Sequence, residues 1–416
     1  MSTFAKNKKP LINNDWFIIN KIINDFTIFK KINKIVIENN FKKNSHNYSK
    51  FIQNFINNLP QSITHLRIYS DFNQSIDNLP QSIKYLEFDY HFNQPINCLP
   101  NGITYLELGG CFNQPVNNLP CTITNLIFGT SFNQSLDNLP NSLKYLDLGV
   151  VFNLPLDNLP NSLICLRLSD YFNLPLDNLP NSLLYLSLGD NFNLPVDNLP
   201  NSIKRLSFGW DFNQTINNLP NSITNLRLGA CFNQPINSLP SSITDLILGD
   251  EFNQPIDNLP ISLKHLQIGD NFNQPIDNLP ISLKHLKIGK KFNQPINSLP
   301  NSLTKLELHD NFNQPIDSLP NSIRGLFLGD NFNQPINKLP SKIKYLKLGE
   351  AFNQPIDYLP SELMYLILGR CFNQPFIKLP KNIKCVFLDQ NYFYEIPDQY
   401  KKIIKYYSNH VDEKWG

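Results

Sequence analysis

A twenty-residue repeat runs through most of the chain and constrains its fold more than any other feature. Starting at Phe72, a Phe-Asn pair recurs every twenty residues as far as Phe372, sixteen times without a change of spacing. A Leu-Pro pair follows seven residues after each Phe, and then comes an apolar stretch of the form L-x-x-L-x-L, as in residues 143–148. A fixed period in this range is typical of solenoids, in which each unit packs against its two neighbours.

The proline positions indicate what each unit can form. Thirty of the 32 Pro residues fall at two positions of the repeat, five residues apart. Proline breaks helix interiors and pushes the preceding residue toward extended geometry, so this half of the unit is an extended return. The other half alternates apolar and polar residues, as a strand requires. We therefore predict a repeat solenoid, mostly β, with one short strand per coil and a parallel sheet on one face.

The Asn that follows each Phe is predicted to be structural. A side-chain amide placed once in every coil can hydrogen bond the backbone of its own coil and of the neighbouring coil. We place this Asn inside the coil, where it would satisfy groups that the strand ladder does not reach.

The two ends depart from the repeat and predict caps. Near the N-terminus, an apolar stripe with helical spacing consists of Trp16, Ile19, Ile23 and Phe26. A divergent first coil is predicted to follow it, with Ile32, Ile35, Ile37 and Phe41 at the spacing of the repeat. A second stripe, spaced i, i+3, i+4 and i+7, predicts a terminal helix over the last sheet edge at Tyr400, Ile403, Ile404 and Tyr407. We thus divide the chain into an N-terminal cap (1–50), a solenoid (51–391) and a C-terminal helical cap (392–416).

The repeated motif F-N-Q-P … L-P-x-S-[IL]-x-x-L-x-L-G resembles the FNIP repeat family, which occurs in social amoebae and in giant viruses of amoebae. The likeness covers about 320 residues, with Ser75, Ser135 and Thr215 in place of Pro. It implies a leucine-rich-repeat-like right-handed coil. Because viral members often carry an F-box before the repeats, it also implies an adaptor role in ubiquitin ligation. No F-box is recognisable in residues 1–50.

The outward-facing strand positions vary between coils, whereas the Phe, Asn, Pro and Leu positions are nearly constant. Any specific binding would therefore depend on the outward-facing positions. One column carries six Tyr in seventeen coils, a residue favoured at protein interfaces. The early coils pair Tyr with acidic residues, and Lys284, Lys287, Lys290, Lys291 and Lys305 form a later basic strip. The candidate partner-binding residues are Tyr85, Glu87, Tyr105, Glu107, Tyr145, Asp147, His265, His285 and Lys287.

Other chemistries find little support. His265 and His285 stack on adjacent coils after Asp245, but the two units around them are near copies, so duplication explains the pairing. We therefore expect no catalytic residues, no metal and no cofactor. The net charge of +2 argues against a nucleic-acid partner, and no apolar run is long enough to span a membrane. Seven Cys without a CxxC pair suggest reduced thiols in the cytoplasm.

The sequence as a whole predicts a monomeric, non-enzymatic scaffold that binds a protein partner on the exposed strand face. Two alternatives stay open at this stage. One is a substrate-recruiting adaptor that associates with ubiquitin-ligase components, and the other is an expanded repeat protein with no specific partner.

Overall fold

A computed structural model describes residues 16–19, 32–38, 46–69 and 71–407. It divides into two compact units, Met1–Phe192 with Leu199–Ile203 and Asn193–Asn198 with Lys204–Gly416. Each unit is a parallel β-solenoid in which one strand is added per coil. Nowhere in the described ranges does a helix combine the length and the apolar character that crossing a membrane requires.

The described residues of the first unit form nine strands and one α-helix. Each strand pairs in parallel with the next, for example Leu66 with Leu86 and Leu86 with Leu106. The elements are β1 (Phe17–Ile19), β2 (Lys34–Glu38), α1 (His46–Asn57), β3 (His65–Tyr69), β4 (Tyr85–Phe88), β5 (Tyr105–Glu107), β6 (Asn125–Ile127), β7 (Tyr145–Asp147), β8 (Cys165–Arg167) and β9 (Tyr185–Ser187).

The second unit repeats the arrangement, and its residues up to 407 form eleven strands, again all parallel. Its elements are β10 (Arg205–Ser207), β11 (Asn225–Arg227), β12 (Asp245–Ile247), β13 (His265–Ile268), β14 (His285–Ile288), β15 (Lys305–Leu308), β16 (Gly325–Leu328), β17 (Tyr345–Lys347), β18 (Tyr365–Ile367), β19 (Cys385–Asp389) and β20 (Ile404–Tyr407).

A ladder of phenylalanine rings fills the interior opposite the strands. In the second unit the rings from Phe212 to Phe372 stack nearly parallel, and Phe232 to Phe252 is typical, with 6.2 Å between centroids and 6° between planes. Tyr392 continues the ladder at 6.0 Å from Phe372. Because these rings are almost completely buried, their contacts and the leucines of the strands form the apolar core that a single coil cannot supply.

The repeated Asn forms a second ladder, which confirms its predicted structural role. The side-chain oxygen of Asn253 accepts a hydrogen bond from the backbone N–H of Asn273 at 2.9 Å, and the same bond recurs from coil to coil. The amide of Gln274 donates to the same oxygen at 3.3 Å. The prediction that this Asn lies inside is wrong, because the row is exposed or half-buried. The ladder therefore ties the coils together from their surface.

Glycine follows most of the strands, at a point where the backbones of neighbouring coils approach closely. A Cβ added at Gly189 would lie 1.7 Å from the carbonyl oxygen of Ser169 and 2.4 Å from its carbonyl carbon. Such a contact can be relieved only by moving the backbone of one coil. Gly102, in the turn before a strand, is different, since its nearest neighbour would be the carbonyl oxygen of Gln81 at 3.7 Å.

We expect Gly189→Ala to destabilise the first unit by about 1–3 kcal/mol, since overpacking forces backbone shifts of this cost. Urea denaturation followed by circular dichroism would measure the change. Gly102→Ala is the matched control and should leave the midpoint within error of the wild type. Equal midpoints for the two variants would show that the coils do not approach as closely as the structure has them.

Residues 390–407 form an additional coil, so the predicted C-terminal helix over Tyr400–Tyr407 is wrong. A short 3-10 helix occupies Asp398–Tyr400, and β20 then pairs in parallel with β19, with Val386 opposite Ile404. The spacing of the apolar residues fits a helix, but β-branched and aromatic residues also suit strands. The free hydrogen-bonding edge of β19 decides in favour of the strand.

The start of the chain also differs from the prediction. Residues Phe17–Ile19, expected in a helix, form β1 and pair with β2, while 13–15 and 20–26 lie outside the described residues. The predicted first coil is confirmed at Ile35 and Ile37, whereas Phe41 lies outside the described residues. Helix α1 was not predicted, although Ile52, Phe55 and Ile56 are buried at helical spacing. The boundaries at residues 50 and 391 stay predictions.

Candidate binding surface

The candidate residues lie at the first and third positions of their strands, where side chains point away from the buried Leu between them. Their exposure varies along the chain. Exposed side chains are those of His265 and His285, half-buried ones are Tyr105, Glu107, Asp147 and Lys287, and buried ones are Tyr85, Glu87 and Tyr145. The prediction that these positions are accessible is therefore wrong for the last three, while their role in partner binding is untested.

Glu87 is the centre of a buried polar network on the early coils. Its carboxylate lies 2.8 Å from Nε of Arg67, and both side chains are at most 3% exposed. The hydroxyl groups of Tyr69 and Tyr85 each donate a hydrogen bond to this carboxylate at 2.5 Å. Arg67 also donates to the hydroxyl oxygen of Tyr85 at 3.1 Å. The negative charge is thus compensated by one cation and two hydroxyl donors.

Aromatic rings cover this network. Tyr85 stacks on Tyr105 with 4.2 Å between centroids, and His65 stacks on the other side of Tyr85 at 5.7 Å. The guanidinium of Arg67 lies 4.3 Å from the centroid of Trp16, which packs edge-on against Tyr85 at 6.1 Å. The rings exclude water from the Arg67–Glu87 pair and leave little of Tyr85 for a partner to touch.

Sequence reasoning overlooked Trp16, Arg67 and Tyr69 as members of this network. A signal for Arg67 was present, because it stands opposite Glu87 when the two coils are placed in register. No comparable signal marked Trp16, whose contacts with β3 and β4 come from a distant part of the sequence.

A smaller arrangement of the same kind occurs around Asp147. Its carboxylate pairs with Arg167 at 3.1 Å and accepts a hydrogen bond from the backbone N–H of Gly149. Gly149 has a φ of +71°, a conformation that favours glycine. Burial raises the pKa of Asp147, and it also raises the pKa of Tyr145 to about 12.

We expect the first unit to lose stability as the pH rises above about 10, the usual pKa of tyrosine. Burial, and then hydrogen bonding to Glu87, raises the pKa of Tyr85, so the folded state holds this proton more tightly than the unfolded chain. The stability that depends on the proton is complete below the unfolded pKa and decreases above it. Urea midpoints measured from pH 8 to pH 11 should therefore decrease more steeply for the wild type than for Tyr85→Phe. Parallel curves would contradict this assignment.

In the second unit, His265 and His285 are accessible but are already engaged. Nδ1 of His265 lies 2.8 Å from a carboxylate oxygen of Asp245, and the two imidazole centroids are 4.8 Å apart. Partial burial, followed by the charges of His265 and Lys305, lowers the pKa of His285. Among the residues that the structure describes, no three His, Cys, Asp or Glu side chains come together as a metal site.

The predicted basic strip is largely neutralised by acidic neighbours. Lys305 and Lys287 both face Glu307, at 2.9 and 3.9 Å, and Lys290 pairs with Asp270 at 2.8 Å. The strip therefore presents less free positive charge than its Lys count suggests.

Two aromatic side chains of the strand face, one exposed and one half-buried, lie on the adjacent strands β17 and β18. Tyr345 is 45% exposed and stacks on Tyr365 with 5.2 Å between centroids and 3° between planes. Lys347 is exposed on the same strand as Tyr345. These side chains provide the rigid amphipathic area that protein interfaces favour.

The coil geometry, the parallel strands and the ladders together define a leucine-rich-repeat-like solenoid. The chain belongs to the FNIP repeat family, whose model matches thirteen segments between residues 51 and 371. Among curated protein sequences, none matches the chain significantly.

Solved structures show the same fold. CroV588, a circular leucine-rich-repeat protein of the giant virus CroV, is 39% identical with a TM-score of 0.74. The match covers 91% of this chain but only 62% of CroV588. YopM from Yersinia enterocolitica is 21% identical, with a TM-score of 0.51 and coverage of 84% and 88%. A chain of the Drosophila Toll–Spätzle complex is 15% identical, with a TM-score of 0.56 and coverage of 95% and 68%.

Proposed function

We propose that the protein is a non-enzymatic scaffold that binds a protein partner on the exposed strand face of its second unit. One contrast supports the proposal. The buried Phe and Leu positions are nearly the same in every coil, whereas the outward-facing strand positions of this unit vary and include exposed side chains. Solenoids use such surfaces for binding, because the frame fixes the positions of the side chains that project from it. His265, His285, Tyr345 and Lys347 are the exposed side chains on which this role depends.

The buried residues of the first unit have a different part in this proposal. Tyr85 and Glu87 contribute through the rigidity of the early coils, since at most 5% of either residue is exposed. A cytoplasmic location, a monomeric state and the ubiquitin-ligase role implied by the family resemblance stay predictions.

Photo-crosslinking in amoebal lysate would test the proposal. The photoreactive residue p-benzoylphenylalanine would replace Tyr345 on the strand face and, as a control, Tyr358, which is 71% exposed on the return segment. We expect discrete protein adducts from the first position and not from the second. Adducts of the same proteins from both positions would contradict a specific face.

A binding measurement with the purified partner would complete the test. Tyr345→Ser with Lys347→Ser should weaken binding, whereas Tyr358→Ser should not, as judged by isothermal titration calorimetry. An unchanged affinity for the face variant would overturn the proposal and favour a repeat protein without a specific partner.

A further inference from the structure

Six cationic side chains stand at one repeated position of the second unit, the residue immediately before a strand. Five are exposed and one, Lys344, is half-buried. We call this set the cation row, and it consists of Lys204, Lys264, Lys284, Arg324, Lys344 and Lys384. None of the six makes an ion pair or a side-chain hydrogen bond with any part of the chain that the structure describes.

Threonine is the residue that stabilises the fold at this position. The hydroxyl of Thr304 donates to the carbonyl oxygen of Lys284 on the previous coil at 3.0 Å, and Thr224 and Thr244 make the same bond at 3.2 Å. A lysine or arginine at this position forgoes that hydrogen bond. The cations are therefore not explained by the requirements of the coil.

Charge repulsion makes four of these cations, which form two adjacent pairs, costly as well. The backbone N–H of Lys284 bonds the carbonyl oxygen of Lys264 at 2.8 Å, and Lys344 bonds Arg324 in the same way, so like charges occupy adjacent coils. Like charges directly opposite each other on neighbouring strands are destabilising.

Two cations in the turn after the strands are paired within the protein. There Lys290 pairs with Asp270 at 2.8 Å and Arg370 with Glu350 at 3.4 Å, each with the residue one coil earlier. These two cations are thus neutralised within the protein, whereas those of the cation row face no carboxylate in the part of the chain that the structure describes.

We propose that the cation row is a docking site for an acidic peptide segment of a protein partner. The inference rests on the proposed function and specifies the chemistry of the partner. Carboxylates along such a segment would meet two pairs of cations on adjacent coils, Lys264 with Lys284 and Arg324 with Lys344, at about the 4.8 Å spacing of parallel strands. Arg324 can bind a carboxylate through two parallel hydrogen bonds. Tyr345, directly after Lys344, supplies an exposed ring for an apolar side chain of the same segment.

A peptide fits these observations better than a nucleic acid. The chain carries a net charge of only +2, so it lacks the strong positive field that attracts a polyphosphate. The acidic residues after the strands, such as Asp310 and Asp330, would repel any long polyanion that extended beyond the row.

Fluorescence anisotropy with a labelled peptide of four Glu-Glu-Phe repeats would test the docking site on the full chain. The peptide should bind the wild type better than a Lys-Lys-Phe peptide of equal length or a single-stranded oligothymidine. The triple variant Lys264→Thr, Lys284→Thr and Arg324→Thr should bind at least about tenfold more weakly, because charged hydrogen bonds are lost. Its urea midpoint should equal or exceed that of the wild type, since each new Thr can bond the preceding coil.

The control variant removes the same charge elsewhere, with Lys291→Thr, Lys378→Thr and Lys402→Thr, and should bind the acidic peptide like the wild type. Equal weakening by both triple variants would reduce the effect to net charge and overturn the proposal. Preferential binding of oligothymidine, or no binding of the acidic peptide at low salt, would overturn it as well. The crosslinking test at Tyr345 requires contact with that ring but none of the charges of the cation row, so a partner found there would sustain the proposed function even if the triple variant bound the acidic peptide like the wild type.

Discussion

Replacing Phe252 with alanine is expected to lower the free energy of unfolding by about 3–5 kcal/mol, the usual cost of deleting a buried aromatic side chain. The ring is fully buried and lies between Phe232 and Phe272, with 6.2 Å between centroids on each side. Its loss leaves a cavity that the neighbouring coils cannot close, because the strand pairing and the Asn ladder hold their spacing. The variant also removes two ring contacts, so both neighbouring coils are affected.

Urea denaturation would measure the loss for Phe252→Ala, and hydrogen exchange would locate it. Amides of the coils on either side of residue 252 should lose protection before those of more distant coils, since solenoid stability is a sum of neighbour contacts. Phe393→Ala is the control, because that ring is 81% exposed. A midpoint for Phe252→Ala that matches the control would show that the Phe ladder is not a source of stability.

Replacing Glu87 with glutamine is expected to cost about 3–5 kcal/mol in the first unit, as is usual when one partner of a buried ion pair is removed. The substitution keeps the size of the side chain but leaves the charge of Arg67 buried without its counter-ion. Glu307→Gln is the matched control, since the side chain of Glu307 is 24% exposed and pairs with Lys305, which is 30% exposed. We expect that control to cost at most about 1 kcal/mol.

A double variant would separate the charge from the packing. Arg67→Met with Glu87→Leu removes both charges and preserves apolar volume, so much of the stability lost in Glu87→Gln should return. Urea midpoints of the two variants would decide the matter. If the double variant is no more stable than Glu87→Gln, the hydroxyl groups of Tyr69 and Tyr85, left without their acceptor, account for the loss.

The solenoid core was predictable because the same apolar pattern recurs in every coil. Leu86 and Phe92 are buried for the same reason as their equivalents in every other coil, and a periodic pattern reports that reason directly. The ends were harder, since Ile404 stands in a stretch whose spacing suits a helix and becomes a strand only because β19 offers it an edge. That edge is a tertiary feature, and no local propensity contains it.

The candidate site was predictable in position but not in exposure. Alternation places Tyr85 and Tyr345 on the same side of the strands, yet Tyr85 is 5% exposed and Tyr345 is 45% exposed. The difference comes from Trp16 and from the neighbours stacked on each ring. Likewise, the sequence shows many lysines, but only the structure separates Lys290, which pairs with Asp270, from Lys284, which meets no carboxylate among the residues that the structure describes.

The Asn ladder has a consequence for how the length of this protein can change. Asn253 accepts a hydrogen bond from Asn273, and Asn273 accepts one from Asn293 in the same geometry. If a duplication or deletion in the gene adds or removes one whole coil, Asn253 meets the next equivalent residue and the repeated contacts of the Phe, Leu and Asn positions are reproduced. A change of any other size would misplace the ring, the amide and the strand at once. The gene can therefore lengthen or shorten its product in steps of twenty codons. At each new junction, the Phe, Leu and Asn positions make the same kind of contact that already joins the other coils.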